Sequence, residues 1–187
     1  MTFGLFSLTQ KRLLTGLLAA ILLFAPLCLL AQSSDRDQPI DLEADSADID
    51  DKKGISIYTG NVILTQGSMQ IKAYQLTLYN DANKELEKAV AIGNKNKLAT
   101  FKQRPEGKSE DFRARSEMMT YYLKKDKIHL LRKAYVWQDG DTFSGNKIIY
   151  DTKNETVVAS SKKNKAGQAT SSGTRVKVTI QPRKKNP

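Results

Sequence analysis

Residues 55–79 read ISIYTGNVILTQGSMQIKAYQLTLY, and their spacing decides the fold class. Apolar side chains fall on alternate positions in short runs: Ile55 and Ile57, Val62 and Leu64, then Met69, Ile71 and Ala73. A period of two belongs to strands with one buried face, not to helices. Leu76 and Leu78 take up the other parity, which predicts that they face away from Met69, Ile71 and Ala73. Thr59-Gly60-Asn61 and Gln66-Gly67 carry residue types that turns require and predict breaks between strands.

Turn residues recur outside this stretch at Lys53-Gly54, Asn80-Asp81, Gly93-Asn94, Pro105-Glu106-Gly107, Asp139-Gly140 and Lys153-Asn154. That spacing suits many short antiparallel strands. Between residues 82 and 91, Leu86 and Val90 stand at helical spacing, but the run is short and reads as a strand from Leu86. Val176, Val178 and Ile180 alternate with Arg175, Lys177 and Thr179. The expected class is all-β.

A six-residue unit of small, polar, any, apolar, any and large apolar residues recurs four times. It reads ADSADI from Ala44, AYQLTL from Ala73, SEMMTY from Ser116 and GNKIIY from Gly145, with Tyr74 breaking the polar rule. The starts are 29, 43 and 29 residues apart, so a shift of 72 carries the first pair onto the second. The same shift carries Ile63 onto Tyr135, Ile71 onto Phe143 and Leu76 onto Ile148. Such periodicity predicts stacked strand-turn-strand units. Ala47 with Ile49, Leu76 with Leu78, Met119 with Tyr121 and Ile148 with Tyr150 are expected to line one interior. A stack has two ends, whose strands offer unpaired N–H and C=O groups. The polar stretch 160–173 reads as a flexible excursion, and the basic tail 182–187 is too short to cap an end. The ends therefore invite strands from other molecules.

Lys11 and Arg12 precede an apolar run, Leu17–Leu30, broken only by Pro26 and closed by Ala31 before Gln32-Ser33-Ser34. This is the order of a secretory leader. We expect a leader over 1–31, a β domain over 32–181 and a basic tail over 182–187. The alternative retains residues 13–30 as a membrane anchor, at the low end of spanning length. Cys28 follows the bulky Leu27, lacks the small neighbour that a lipidation signal needs, and reads as one more apolar residue of the leader. The remaining 156 residues hold no cysteine and are long enough to fold without a disulfide.

The 187 residues carry 30 Lys+Arg, 20 Asp+Glu, one His and one Cys. One His and one Cys exclude a Cys/His zinc site and a disulfide framework. His129, within KIHLL, has no partner implied by spacing. Asp45, Asp48, Asp50 and Asp51 lack the glycine and distal glutamate of a calcium loop. No catalytic residue, metal or cofactor is expected, and no enzyme. A sugar-binding or hydrolytic β-jellyroll is the outlying alternative and would need paired carboxylates in a cleft. Residues 32–51 carry eight acids and one base, whereas residues 152–187 carry nine bases and one acid. Such asymmetry reads either as a solvated surface or as attraction between opposite ends or to an anionic ligand. Export disfavours nucleic acid.

The segment 37–79, DQPIDLEADSADIDDKKGISIYTGNVILTQGSMQIKAYQLTLY, resembles the start of the OstA-like family of periplasmic lipopolysaccharide-transport proteins. YTGNVILTQG and the following IKA are its most specific parts, and LATFKQ at 98–103 and GNKIIY at 145–150 continue the likeness, which runs over about 37–180. Tyr74 stands where the family carries an acid, and Arg132-Lys133 where it carries Gly-Asn. The resemblance implies a twisted, open antiparallel β-jellyroll whose copies join head to tail by strand pairing. It implies a bridge between an inner-membrane anchored LptC-like protein and the amino-terminal domain of an outer-membrane LptD-like translocon, with lipopolysaccharide acyl chains inside.

By position Ile40 and Phe101 match ligand-facing residues of the family, and Arg36 another contact. Together with the repeat, the expected lipid-facing set is Ile40, Ile49, Leu76, Leu78, Phe101, Met119, Tyr121, Ile148 and Tyr150. Arg36, Lys72, Arg113 and Lys147 are expected at the rim, facing phosphates. Ile40, Leu42, Val176, Val178 and Ile180 are expected in strand pairing between molecules. Each buried CH₂ is worth about 0.8 kcal/mol, so a multi-chain lipid needs such shielding to cross water. Intact-mass measurement of the periplasmic fraction checks the leader: a product beginning near Gln32 is expected, and full-length protein in the membrane favours the anchor.

Overall fold

The computed structural model describes residues 35–161 and 175–182. The expected leader over 1–31, nearly all of the polar stretch 160–173 and the tail from residue 183 lie outside the described residues. Within them the chain forms twelve strands: β1 (Asp41–Glu43), β2 (Ser46–Asp50), β3 (Ile55–Gln66), β4 (Met69–Asn80), β5 (Leu86–Ile92), β6 (Ala99–Gln103), β7 (Phe112–Ser116), β8 (Met118–Tyr122), β9 (Lys127–Gln138), β10 (Asp141–Asp151), β11 (Thr156–Ser160) and β12 (Lys177–Thr179). Residues 82–91 follow the strand reading, with β5 beginning at Leu86.

All pairings are antiparallel, and they sort into two layers joined by four long strands. Sheet I runs β2, β3, β4, β5, β8, β9, β10, β11, using the first halves of β3 and β9 and the second halves of β4 and β10. Sheet II runs β1, β3, β4, β6, β7, β9, β10, β12 through the opposite halves. The strands β4, β5, β8, β9, β7 and β6 close a circuit, while among the described residues β1 and β2 pair only with β3, and β11 and β12 only with β10. Among the described residues the jellyroll is thus unclosed at its two edges.

Cross-strand register turns the repeat into geometry. In sheet I one row reads Ala47, Tyr58, Leu76, Ala91, Met119, Leu130, Ile148, Ala159. The next reads Ile49, Ser56, Leu78, Ala89, Tyr121, Ile128, Tyr150, Val157. Directly opposed residues share a face, so the fourth and sixth positions of all four repeats do lie on two continuous rows. In sheet II the matching row is Leu42, Leu64, Ile71, Phe101, Ala114, Val136, Phe143, Val178.

The first two positions of each repeat are where the chain passes from one sheet to the other. Small residues stand there: Ala44, Ala73, Ser116 and Gly145. Ser116 is fully buried and donates its hydroxyl to the Met118 carbonyl at 2.7 Å. Two corrections to the period-two reading follow. Thr59-Gly60-Asn61 is not a turn but a register shift inside β3, with Gly60 and Asn61 both left-handed (φ 81° and 45°). And Met69, Ile71 and Ala73 face the same interior as Leu76 and Leu78. The residue Tyr74, unpaired with β3, absorbs the change of parity, as a bulge does.

The shift of 72 is a structural duplication. It carries β3 (55–66) onto β9 (127–138), and the start of β4 at Met69 onto that of β10 at Asp141. It also carries Gly60-Asn61 onto Arg132-Lys133, which are left-handed as well (φ 60° and 51°). The supports correspond too. The Asp45 N–H donates to the Gly60 carbonyl at 3.0 Å, and the Asn61 amide donates to the Asp45 carboxylate at 3.1 Å. In the second half the Glu117 N–H donates to the Arg132 carbonyl at 3.0 Å, and Arg132 and Lys133 both meet the Glu117 carboxylate at 2.9 Å. Those two cations hold the Glu117 carboxyl below its ordinary range, Lys133 most strongly.

The centre of the rows carries the stability. Leu130→Ala, at a site with no solvent exposure, is expected to destabilise by about 3 kcal/mol. Ile49→Ala, on a residue 57% exposed, is expected to cost under about 0.5 kcal/mol. Urea unfolding monitored by circular dichroism checks the contrast.

Candidate functional site: an apolar interior with two unpartnered edges

The two sheets meet through aromatic side chains. Phe101 of sheet II packs edge-on against Phe112 and against Tyr121 of sheet I, each with centroids 6.0 Å apart. Phe112 stacks on Tyr150 of sheet I at 3.8 Å and 9°. Leu76, Phe101, Met119, Tyr121, Ile148 and Tyr150 are all buried at this junction, and Leu78 packs against it half-buried. The structure brings these seven predicted interior residues together.

Ile40 and Ile49 differ. They are 41% and 57% exposed. The duplication gives the reason: a shift of 72 carries Ile40 onto Phe112 and Ile49 onto Tyr121, which are 2% and 5% exposed. In the second half β6 pairs with β7 and β5 with β8, covering those positions. No strand stands there for the first half among the described residues. Among the described residues the opposite edge carries no further strand either, with Val176, Val178 and Ile180 at 38%, 48% and 72% exposure. Leu42 is half-buried in the Leu64 row and Val178 ends it at the other side.

The predicted rim cations do not form one rim. Lys72 and Arg113 lie on the outer face of sheet II, because their neighbours Ile71 and Ala114 point inward. Lys147 lies on the outer face of sheet I, beside the inward Ile148. Alternation fixes a side chain's face but not the layer it belongs to, and here two different outer faces are involved. On sheet II, Arg113 and Arg115 rest over the rings of Trp137 and Tyr135 at 5.4 and 4.7 Å. The buried Asp111 gathers Arg104, Lys102 and Arg113 at 3.0, 3.4 and 3.6 Å. Burial pushes its carboxyl up, but hydrogen bonds from Arg104 and Lys102 outweigh this and hold it below the usual range.

Arg36 is a strap. Asp35 accepts from the Ser68 amide at 2.6 Å, the Ser68 hydroxyl at 2.7 Å and Gln103 at 2.9 Å, all at the far end of sheet II. Arg36 then reaches the far end of sheet I, donating to the Leu123 carbonyl at 3.2 Å and pairing with Asp126. Lys108 makes a second crossing, 3.5 Å from Asp139 beyond β9 and 3.2 Å from Glu155 beyond β10. The two sheets are therefore joined covalently at their corners and by ion pairs at their far ends.

Other residues take structural parts. The aspartates of 45–51 form a polar edge in which Asp45 supports Gly60-Asn61 and Asp50 pairs with Lys53 at 2.7 Å. His129 lies on the outer side of β9, its ring edge-on to Tyr122 at 4.9 Å, and burial followed by Lys147, Lys127 and Lys125 lowers its pKa. Ile128, Leu130, Val136 and Phe112 were absent from the predicted interior set and belong to it. The signal was present: shifting Tyr58, Leu64 and Ile40 by 72 lands on Leu130, Val136 and Phe112.

Comparison with known proteins follows the same geometry. Residues 41–156 match the family described as LptA/(LptD N-terminal domain) LPS transport protein. The chain is 38% identical over 156 residues to the lipopolysaccharide export system protein LptH of Pseudomonas aeruginosa, covering 83% of this chain and 86% of that one. It is 32% identical to the lipopolysaccharide export system protein LptA of Escherichia coli K12, covering 84% and 83%. The crystal structure of Pseudomonas aeruginosa LptH, titled the LptA homologous periplasmic component of the conserved lipopolysaccharide transport device, superposes with a TM-score of 0.69 at 37% identity. That match covers 80% of this chain and all of the other.

Proposed function

We propose, because the chain belongs to the LptA/(LptD N-terminal domain) LPS transport protein family, that it is an exported, non-enzymatic carrier. It shields the acyl chains of lipopolysaccharide between its two sheets and passes the lipid from the inner to the outer membrane. The observation that carries this reading is the run of apolar rows across both sheets to edges where Ile49, Val178 and Ile180 stand uncovered. A soluble domain rarely leaves the rim of its core exposed unless something covers it. The interior is filled by its own side chains, so cargo enters as the sheets part at the end held by Arg36 and Lys108 rather than at the corners. The readings with residues 13–30 kept as an anchor, or with an enzymatic cleft, gain no support from the relatives.

The internal junction is a template for one between copies. Ala159 stands to Ile148 as Ala91 does to Leu76, and Val178 to Phe143 as Phe101 does to Ile71. Ala91 faces Met119 and Phe101 faces Ala114. Shifting by 72 places Ala159 of one copy opposite Ala47 of the next, and Val178 opposite Leu42. The acidic strand β1 would then adjoin β12 with its Lys177, and β2 would adjoin β11; the same edges serve an inner-membrane LptC-like protein and the amino-terminal domain of an LptD-like translocon.

Two measurements check this. A photoreactive residue at Phe101 or Ile40 in living cells is expected to yield lipopolysaccharide adducts, and one at the outward Lys95 none. Adducts at Lys95 without any at Phe101 contradict an interior route. For the junction, Leu42→Cys combined with Val178→Cys is expected to form disulfide-linked chains of the protein under oxidation. Glu43→Cys with Val178→Cys, one residue out of register, is expected to link poorly; equal linking contradicts the register.

A further inference from the structure

We propose that the Tyr150 hydroxyl is a binding group for the polar root of an acyl chain, donating a hydrogen bond to an ester, amide or hydroxyl oxygen of the cargo. This rests on the reading that the interior takes acyl chains. Among the described residues Tyr150 Oη is the buried side-chain oxygen or nitrogen with no hydrogen-bond partner. Its residue is 2% exposed. A buried polar group left unmatched is costly, and native proteins seldom keep one without a use.

The fold does not need this oxygen. The duplicated counterpart of Tyr150 is Leu78, which holds the same place in the same row. The ring is held flat against Phe112, so the hydroxyl is aimed rather than free to swing. The charges that act on it are Glu155 and Asp139, the two carboxylates bridged by Lys108, and Asp151. In the ladder Tyr150 stands one residue before Asp151, at the end of sheet I away from the corners, where Lys108 meets Glu155 and joins the two layers. Burial first, and those carboxylates second, push the phenol well above the usual tyrosine range, so it stays a donor. An amphiphile whose chains fill the interior and whose head leaves at that end, once the layers part there, brings its linkage oxygens to this depth.

Tyr150→Phe in the full chain tests it, with lipopolysaccharide and the pure hydrocarbon diphenylhexatriene as probes. The variant is expected to bind lipopolysaccharide about five- to tenfold more weakly, to bind diphenylhexatriene at least as well as the parent, and to melt about 2–4 °C higher without ligand. Unchanged lipopolysaccharide affinity overturns the proposal. So does equal weakening toward both probes, which assigns Tyr150 to packing, or a lower melting temperature, which means that the hydroxyl is already satisfied. A parent protein that binds the hydrocarbon but not lipopolysaccharide instead refutes the carrier reading, before the variant is considered.

Discussion

Everything in this chain depends on carrying an apolar face around a corner without interrupting it. A strand presents alternate residues to one side, so a strand that leaves one sheet for another must either keep its parity or correct it. Here β3 and β9 keep it by passing through two left-handed residues, and β4 and β10 correct it with Tyr74 and Asn146. Small residues at the corners let the layers approach. The interior rows are continuous because these local devices hold, and the apolar interior is continuous because the rows are.

The second half shows that the corner is a geometric requirement rather than a glycine motif. Left-handed backbone costs an ordinary residue about 1 kcal/mol or more, and Gly60-Asn61 avoids most of that. A Cβ on Gly60 would also collide with Asp45. Arg132-Lys133 adopt the same conformation with two long side chains, held by backbone hydrogen bonding and by Glu117, whose one carboxylate pairs with both. Half-exposed ion pairs of this kind contribute little on their own. The surrounding ladders, fixed on either side by Leu130 and Val136, hold the corner in place.

Much of this was legible in the residues. The period of two gave the class, the six-residue unit gave the rows, and the shift of 72 gave the duplication. What escaped was the difference between a turn and a corner. Gly60-Asn61 has the chemistry of a hairpin, and only pairing partners on both sides reveal that the strand runs on. For the same reason Lys72, Arg113 and Lys147 looked like one rim: local alternation says inward or outward, and not which of two layers. The Tyr150 side chain was legible as interior bulk, but nothing in the repeat called for its hydroxyl.

Duplication also bears on length. Each half begins and ends with the same kind of strand, and the joint between halves is made of the same contacts that the free edges leave unmet. A third copy of the 72-residue module would extend the trough while leaving its terminal surfaces as they are. The length of the apolar interior would therefore grow in whole modules, with no need to redesign the cross-section.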